Sequence, residues 1–324
     1  MKRNLSAPRG LWLVALPAVA IVVVPVLAVF WRTDWLSFFK SVSNETSRTA
    51  LVLSLRTSLV ATGLAFVFGT PLAWLLANRD FKFKSLVRAF CVLPMVLPPV
   101  VGGVALLYAF GRRGLVGARL DEWFGIQLAF TEKAAILAQF FVAAPFFILV
   151  MEAAFDQVDR RIVGAARTFG AGPWRTFVTV TLGLVRPSLL AALVLTWARA
   201  LGEFGATIAF AGNTAGRTQT VPLAVYSQLE SGGDDALALS TLMMIVSLAV
   251  LIALRDRWVS ALRRGGQGAL KLIVSYDVTT SILKFTWQSS QARCWRSLAK
   301  MAQEKLRHST LSPVFLHARP ARSL

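Results

Sequence analysis

Few residues of this 324-residue chain have the types and spacing that chemistry requires. Arg199 and Glu203 stand four residues apart in an apolar stretch, a spacing that places both side chains on one face of a helix. A charge inside an apolar helix is costly and normally finds a partner, so we expect an ion pair that acts as a structural latch or directly in gating. The only histidines are His308 and His317, near the C-terminus. With no nucleophile–histidine pairing, metal-ligand cluster or phosphate-binding glycine loop, the sequence predicts no catalytic residue and no metal site.

Long apolar runs carry this pair, and they dominate the chain, which is 56% hydrophobic and 16% charged. A helix needs about 20 mostly apolar residues to cross the hydrocarbon core of a bilayer, which is roughly 30 Å thick. Inside that core every backbone polar group must be satisfied within the helix. The sequence therefore predicts an all-α membrane protein with about six transmembrane helices. The predicted spans are 11–31, 51–78, 89–110, 134–155, 188–210 and 237–254.

Lysine and arginine in the loops give the expected orientation. They are concentrated at the N-terminus, between the second and third spans, between the fourth and fifth, and after the sixth. With six spans these segments lie on one side, which we interpret as the cytoplasm, so both termini are expected to be cytoplasmic. The opposite side also carries basic residues, including Arg48, Arg113 and Arg217, so the asymmetry is incomplete. The first apolar run exceeds the 7–15 residues or so of a signal-peptide core, and we interpret it as a retained helix.

A net charge of +19 would suggest nucleic acid as the partner of a soluble protein. Here much of the charge sets membrane orientation, and basic residues also suit anionic lipid. No nucleic-acid-binding module is visible, so the expected partner is the lipid bilayer rather than nucleic acid. The chain divides into a membrane unit, residues 1–264, and a basic cytoplasmic tail, residues 265–324. The tail is interpreted as a solvated or membrane-surface extension; a remnant or frame-shifted start of a neighbouring coding region is the alternative.

The loop 156–187, between the fourth and fifth spans, holds the most informative pattern. Asp159 is an expected N-cap and Gly170 an expected C′ residue, which predicts a helix of about three turns across the membrane face. Pro173 suits the first position of a second helix. Small residues between these ends would let another surface approach closely, and larger residues would grip it. The small residues are Gly164, Ala165 and Ala166, and the larger ones are Arg161, Arg167, Phe169 and Trp174.

This loop resembles the EAA loop of importer permeases of the ATP-binding cassette (ABC) class. The match consists of Gly164 and the two alanines after it, three residues, Gly170, nine residues, and Val180-x-Leu182. The resemblance implies a coupling helix that docks into a cleft on an ATPase subunit. Gly164 stands where the family usually has Glu, and Gly183 where it usually has Pro. Without that acid, a salt bridge to the ATPase at this point is not expected, whereas the expected helix is unaffected.

Two further stretches are similar to the permeases for molybdate, with sulfate permeases as the nearest relatives. They are Leu93-Pro-Met-Val-Leu-Pro-Pro-Val-Val-Gly-Gly103 in the third span and Gly202-Glu-Phe-Gly-Ala-Thr207 with the block 218–226 in and after the fifth. The resemblance covers about residues 45–255 and implies a type I importer bundle that carries a tetrahedral oxyanion, with molybdate first and sulfate, thiosulfate or tungstate as alternatives.

The same resemblance implies the partners and the location. They are two copies of an ATPase subunit, an extracytoplasmic molybdate-binding protein and a second copy of this chain, in a bacterial cytoplasmic membrane. It implies that this chain binds no cofactor, because ATP and Mg²⁺ are used by the ATPase.

The residues of these stretches are compatible with that interpretation. Pro98 and Pro99 donate no backbone hydrogen bond, so the third span must be bent or broken. Gly102 and Gly103 remove side-chain bulk where helices must approach or slide, and Gly205 belongs to a small-residue seam that suits close packing. The alternative is a kinked packing helix with no part in a transport pathway.

A dianion that crosses the bundle needs hydrogen-bond donors, yet a fixed cationic cage would hold it too tightly for release. Weak donors therefore fit better, and the candidates are Thr57, Ser58 and Thr207 together with backbone amides near broken helix ends. Arg56 would attract the anion near the outer mouth, or extend to lipid headgroups. We expect no tight site in this subunit, with selectivity mainly in the external binding protein.

Two function classes compete with an ABC permease. A secondary transporter would work alone and often shows repeated halves, but no convincing internal repeat is visible and the loop 156–187 would be unexplained. A membrane scaffold without an ATPase partner would not need three prolines in one span.

Overall fold

The computed structural model describes residues 9–232 and 235–265, and this part of the chain is helical without strands. From residue 266 onward, the predicted basic tail lies outside the described residues. The first seven helices are α1 (Arg9–Arg32), α2 (Phe38–Ser43), α3 (Glu45–Asn78), α4 (Lys84–Val96), α5 (Pro99–Phe110), α6 (Gly117–Phe124) and α7 (Glu132–Asp156). The others are α8 (Arg160–Thr168), α9 (Pro173–Arg175), a π-helical segment (Thr176–Thr181), α10 (Leu182–Leu201), α11 (Gly205–Phe210), α12 (Val221–Ser231) and α13 (Asp235–Gly265).

Five helical stretches of the described part are long and apolar enough to cross a membrane. They are α1, α3, α7, the continuous stretch Pro173–Leu201 and α13. The crossing predicted at 89–110 is instead made of α4 and α5, of 13 and 12 residues, which are separated at Leu97 and Pro98. The prediction of a bent or broken third span is confirmed, and the all-α membrane class is confirmed with it.

The predicted fifth span, 188–210, is wrong at both ends. The helical stretch begins at Pro173, because Gly172 and Pro173 start a helix that continues without interruption through the π-helical segment into α10. It ends at Leu201, and α11 is a separate six-residue helix. The break has a local cause, since a carboxylate oxygen of Glu203 accepts a hydrogen bond from the Ala206 amide at 2.9 Å and so starts the second helix anew.

The core of the bundle lies between α3 and α7, against which α10 also packs. Large side chains of α7, chiefly Phe147, Met151 and Phe155, are buried against small residues of α3 such as Ala65 and Ala73. Small residues let two helix backbones approach closely, which is the usual basis of helix association in a membrane. This packing places α7 in the centre of the bundle, where it extends from one end to the other.

The outer surface of the bundle is apolar, as lipid requires. No residue of α1 from Ala15 to Arg32 is buried, and Ile21 and Val22 are about three-quarters exposed. One polar contact ties the C-terminal end of α1 to α13, where the hydroxyl oxygens of Thr33 and Thr241 lie 2.6 Å apart. Because α1 does not pack into the core, its apolar side chains are free to contact the lipid hydrocarbon.

Candidate functional site

The loop helix predicted from Asp159 and Gly170 is present as α8. The Asp159 side chain caps it by accepting a hydrogen bond from the Arg161 amide at 2.8 Å. Gly170 follows the last turn with a φ of +84°, a left-handed conformation that favours glycine. The Ala171 amide then donates to the Ala166 carbonyl at 3.1 Å and closes the turn. The sequence therefore sets this helix locally, with a capped start and a glycine end.

The surface of α8 is open. None of its residues is buried, and a side chain at Gly164 or Gly170 would meet nothing within 4 Å. Ala165 is exposed beside Gly164, and Ala166 is half-buried. Beyond the helix, the rings of Phe169 and Trp174 are 91% and 76% exposed.

The α8 surface is also basic. The helix contains Arg160, Arg161 and Arg167 and no acidic residue, because Asp159 precedes it as the cap. Asp80, on the neighbouring α3–α4 loop, accepts a hydrogen bond from the ammonium of Lys84, the first residue of α4. This bond holds the pKa of the Asp80 carboxyl below its usual value, with a smaller contribution from the Arg160 guanidinium. We refer to α8 with Phe169 and Trp174 as the coupling surface.

A chain of aromatic rings connects the coupling surface to the core. The Trp174 ring lies 5.8 Å from that of Phe177, which lies 6.2 Å from Phe155 on α7 and 6.1 Å from Trp74 on α3. Aromatic pairs at such distances pack directly. Sequence reasoning identified Trp174 but missed Phe177, Phe155 and Trp74, because the contacts join positions far apart in the chain.

The two interrupted crossings meet each other. A Cβ at Gly205, the first residue of α11, would lie 2.6 Å from Cβ of Pro99, the first residue of α5. A Cβ at Gly103 would lie 2.7 Å from both the Ala206 carbonyl oxygen and Cβ of Ala209. Those distances are far below ordinary contact, so glycine is required for the half-helices to touch. Gly102, the neighbouring position, faces the Phe141 ring of α7.

The Arg199–Glu203 pair forms, but across the break rather than within one helix. Arg199 Nη1 lies 2.7 Å from Glu203 Oε2, while Glu203 Oε1 holds the Ala206 amide. The Glu203 side chain is 1% exposed and that of Arg199 29% exposed. Both carboxylate oxygens are used to join the end of α10 to the start of α11. The expected ion pair is therefore present, and its role as a structural latch or in gating stays a prediction.

The predicted weak donors differ in their surroundings. Thr57 and Ser58 are fully buried and their hydroxyl groups donate within α3, to the carbonyls of Ser54 and Leu55. Ser58 also accepts a hydrogen bond from the Trp197 indole at 3.0 Å, which ties α3 to α10. The Thr207 hydroxyl is buried without a partner among the described residues. Their part in a pathway stays a prediction.

Arg56 lies at the end of the bundle opposite the coupling surface. It lines an open cavity near the start of α7, whereas α8 follows the end of α7, about 37 Å away at 1.5 Å per residue over 25 residues. Its Nε lies 3.2 Å from Glu132 Oε1, and its side chain is 69% exposed. Its part in attracting an anion at an outer mouth stays a prediction.

Two buried polar features were missed in the sequence. Gln139 of α7 is fully buried, and neither atom of its amide has a partner among the described residues. It could have been noticed as the one amide in the apolar run 134–151. Arg88 of α4 pairs with Glu152 of α7 across 64 positions, a separation that no local pattern reveals. This pair joins α4, the first half of the broken third crossing, to α7.

Comparison with known proteins supports the same architecture. Residues 69–265 match the family model described as the binding-protein-dependent transport system inner membrane component. The chain is 41% identical over 250 residues to the molybdenum transport system permease protein ModB of Mycobacterium tuberculosis, covering 77% of this chain and 94% of that protein. It is 41% identical over 219 residues to the protein of the same name from Escherichia coli, covering 68% and 96%.

Among solved structures, a bacterial alginate ABC transporter in complex with an alginate pentasaccharide-bound periplasmic protein superposes with a TM-score of 0.59. The match covers 79% of this chain and 95% of that one at 16% sequence identity, so it speaks to the fold alone. The family model and the curated relatives together cover most of the membrane unit, including both interrupted crossings and α8. This chain belongs to the family of inner membrane components of binding-protein-dependent transport systems.

Proposed function

We propose that this chain is the membrane-spanning subunit of an ATP-driven importer of molybdate. The observation that carries the proposal is the 41% identity to molybdenum permeases over at least 94% of their length. Two copies of the chain would form the pore, two ATPase subunits would bind on the cytoplasmic side, and an extracytoplasmic binding protein would deliver the anion. The chain itself would supply no catalytic group, and ATP with Mg²⁺ would be used by the ATPase.

The coupling surface fits the role of an ATPase contact. It combines exposed rings, an open small-residue patch and three arginines without an acid. Interfaces typically anchor on aromatic and arginine side chains, so the expected counterpart is a cleft with apolar floor and acidic rim. In this orientation α8 and both chain termini would lie in the cytoplasm.

Movement at the coupling surface would reach the bundle through packed rings. Displacement of Trp174 pushes on Phe177, which contacts α7 and α3 through Phe155 and Trp74. The helical stretch Pro173–Leu201 continues from this point to the break, about 44 Å at 1.5 Å per residue over 29 residues. A push on one end would therefore arrive at the junction of α5 and α11, where we place the gate of an alternating-access cycle.

The junction suits passage of a dianion without trapping it. Arg199 is already neutralised by Glu203, so the described part of the chain places no free cationic cage at the break. The Thr207 hydroxyl beside it has no hydrogen-bond partner among the described residues, and it is a weak donor of the kind that binds and releases an oxyanion. Selectivity would then reside mainly in the binding protein. A submicromolar affinity of the isolated permease for molybdate would contradict this part of the proposal.

The test is uptake by the complete complex in proteoliposomes, with ATP and loaded binding protein. We expect ATP-dependent uptake of molybdate that unlabelled molybdate and tungstate suppress more strongly than sulfate. Stronger suppression by sulfate would assign a sulfate importer instead. Uptake that proceeds without any ATPase would refute an ABC permease altogether.

A second test addresses the ATPase contact directly. Cysteines introduced as Ala165→Cys or Ala166→Cys should crosslink to an ATPase subunit in native vesicles, because both positions lie on the coupling surface. Ala109→Cys, near the C-terminal end of α5, is the matched control and should not crosslink. If neither coupling position captures an ATPase, the proposed contact is wrong.

A further inference from the structure

The cavity at the end opposite the coupling surface contains three arginines. It measures about 800 Å³, a size typical of small-molecule sites, and Arg48, Arg56 and Arg217 line it together with the acids Glu45 and Glu132. We propose that this cavity receives a tetrahedral oxyanion at low affinity, after its release from the binding protein and before the anion enters the bundle. The proposal rests on the proposed function and adds a binding site at its entrance.

The arginines are placed to act together. Arg48 and Arg56 lie on one face of α3, two turns apart, about 12 Å along the helix axis. Arg217 belongs to the loop after α11, where three successive amides, those of residues 217, 218 and 219, donate to the Thr214 carbonyl at 2.9–3.1 Å. That loop is closed further by the Thr214 amide, which donates to the Thr218 hydroxyl at 3.0 Å. Arg217 is thus held from a compact turn, opposite the α3 pair.

The two acids are accounted for by the helices that they start. Glu45 is the first residue of α3 and Glu132 the first of α7, where a negative charge interacts favourably with the helix dipole. Glu132 is within ion-pair distance of Arg56 at 3.2 Å, but its Oε1 makes no hydrogen bond among the described residues. The pair is therefore held by charge alone, and an incoming oxyanion can compete with the Glu132 carboxylate for the guanidinium.

The other two arginines have no such competitor in the described part of the chain. Neither Arg48 nor Arg217 has a carboxylate within ion-pair distance there. Guanidinium groups are suited to tetrahedral oxyanions because their donors form a planar fork. With three positive and two negative side chains the cavity keeps one net positive charge, which attracts a dianion but does not hold it. An entrance site must release its ligand, so weak binding is the useful property.

The test measures binding of radiolabelled molybdate to the complete complex in nanodiscs of zwitterionic lipid, without the binding protein. We expect the double variant Arg48→Gln/Arg217→Gln to weaken binding about tenfold, because each exposed charge contact contributes a few-fold. We expect Glu132→Gln to strengthen binding a few-fold, since it frees Arg56. Arg113→Gln, an exposed arginine outside the cavity, should leave binding unchanged.

Opposite shifts from the arginine and glutamate variants would support an anion site. Unchanged binding in both would overturn it, even if the wild-type complex imports molybdate as proposed. Shifts that occur only in nanodiscs of anionic lipid would assign the arginines to lipid headgroups instead. Loss of affinity for the binding protein in the double variant, with molybdate binding intact, would assign them to protein docking and would equally overturn the proposal. A wild-type complex without molybdate uptake would refute the proposed function rather than this site.

Discussion

Gly103→Ala is the substitution for which the structure gives the sharpest expectation. The added methyl group would lie 2.7 Å from the Ala206 carbonyl oxygen and 2.7 Å from Cβ of Ala209. Both are parts of α11 that no side-chain rotation can move. The half-helices α5 and α11 would have to separate by several tenths of an ångström. Overpacking of this kind costs about 1–3 kcal/mol of stability.

Gly63→Ala is the matched control, because Gly63 lies inside α3 with nothing within 4 Å of the added methyl group. Alanine in place of an unconstrained helical glycine stabilises by about 0.5–1 kcal/mol. The two variants have the same chemistry and opposite expected signs.

The assay is thermal unfolding of the purified protein in detergent, followed by uptake in proteoliposomes. At about 2–4 °C per kcal/mol, Gly103→Ala should lower Tm by roughly 2–12 °C, whereas Gly63→Ala should raise it slightly. Uptake by the Gly103 variant should fall further than its folded fraction, because the altered contact lies at the proposed gate. Equal Tm values for the two variants would refute the close contact of α5 and α11.

Three other substitutions test separate contacts. Gly170→Ala forces a left-handed backbone on a residue with a side chain, at a cost of about 1–2 kcal/mol, and should uncouple ATP hydrolysis from uptake as α8 loses its end. Arg88→Glu and Glu152→Arg should each lower stability by about 2–3 kcal/mol, and the double exchange should restore most of it, measured by Tm. Glu203→Gln keeps an acceptor for the Ala206 amide but removes the charge that Arg199 meets, so it should cost less stability than Glu203→Ala while both reduce uptake.

Each of these substitutions has either a control variant or a result that would contradict its expectation. Gly164→Ala adds the same methyl group to α8 at a helical residue with open space and should leave coupling intact. If the double variant Arg88→Glu/Glu152→Arg has no higher Tm than either single variant, the ion pair between residues 88 and 152 does not contribute to stability. Equal losses from Glu203→Gln and Glu203→Ala would show that the hydrogen bond to the amide contributes nothing.

Local signals in the sequence were enough to predict α8 and the interruption of the third crossing. An N-cap aspartate and a C′ glycine act on the residues beside them, and prolines remove their own hydrogen bonds wherever the chain goes. The break after Leu201 was not foreseen because hydropathy does not change there. It depends on one buried carboxylate that prefers a backbone amide and an arginine to a continuous helix.

Contacts between distant positions were beyond sequence reasoning. The Arg88–Glu152 pair, the ring contacts of Phe177 and the tie between Ser58 and Trp197 depend on how helices are placed side by side. Gln139 is different, since a lone amide in an apolar run was visible and its burial without a partner marks it for study. The functional roles assigned to the coupling and gating residues stay predictions.

The π-helical segment Thr176–Thr181 has a consequence for how the chain tolerates length changes. A π turn holds one residue more than an α turn between its hydrogen-bonded groups. Removing one residue from this segment would convert it to regular α-helix and leave the facing of Leu182–Leu201 toward its neighbours unchanged. The same deletion a few positions later would rotate every following side chain of α10 by about 100° and expose its buried face. Natural variants that are one residue shorter in this crossing should therefore carry the deletion within Thr176–Thr181.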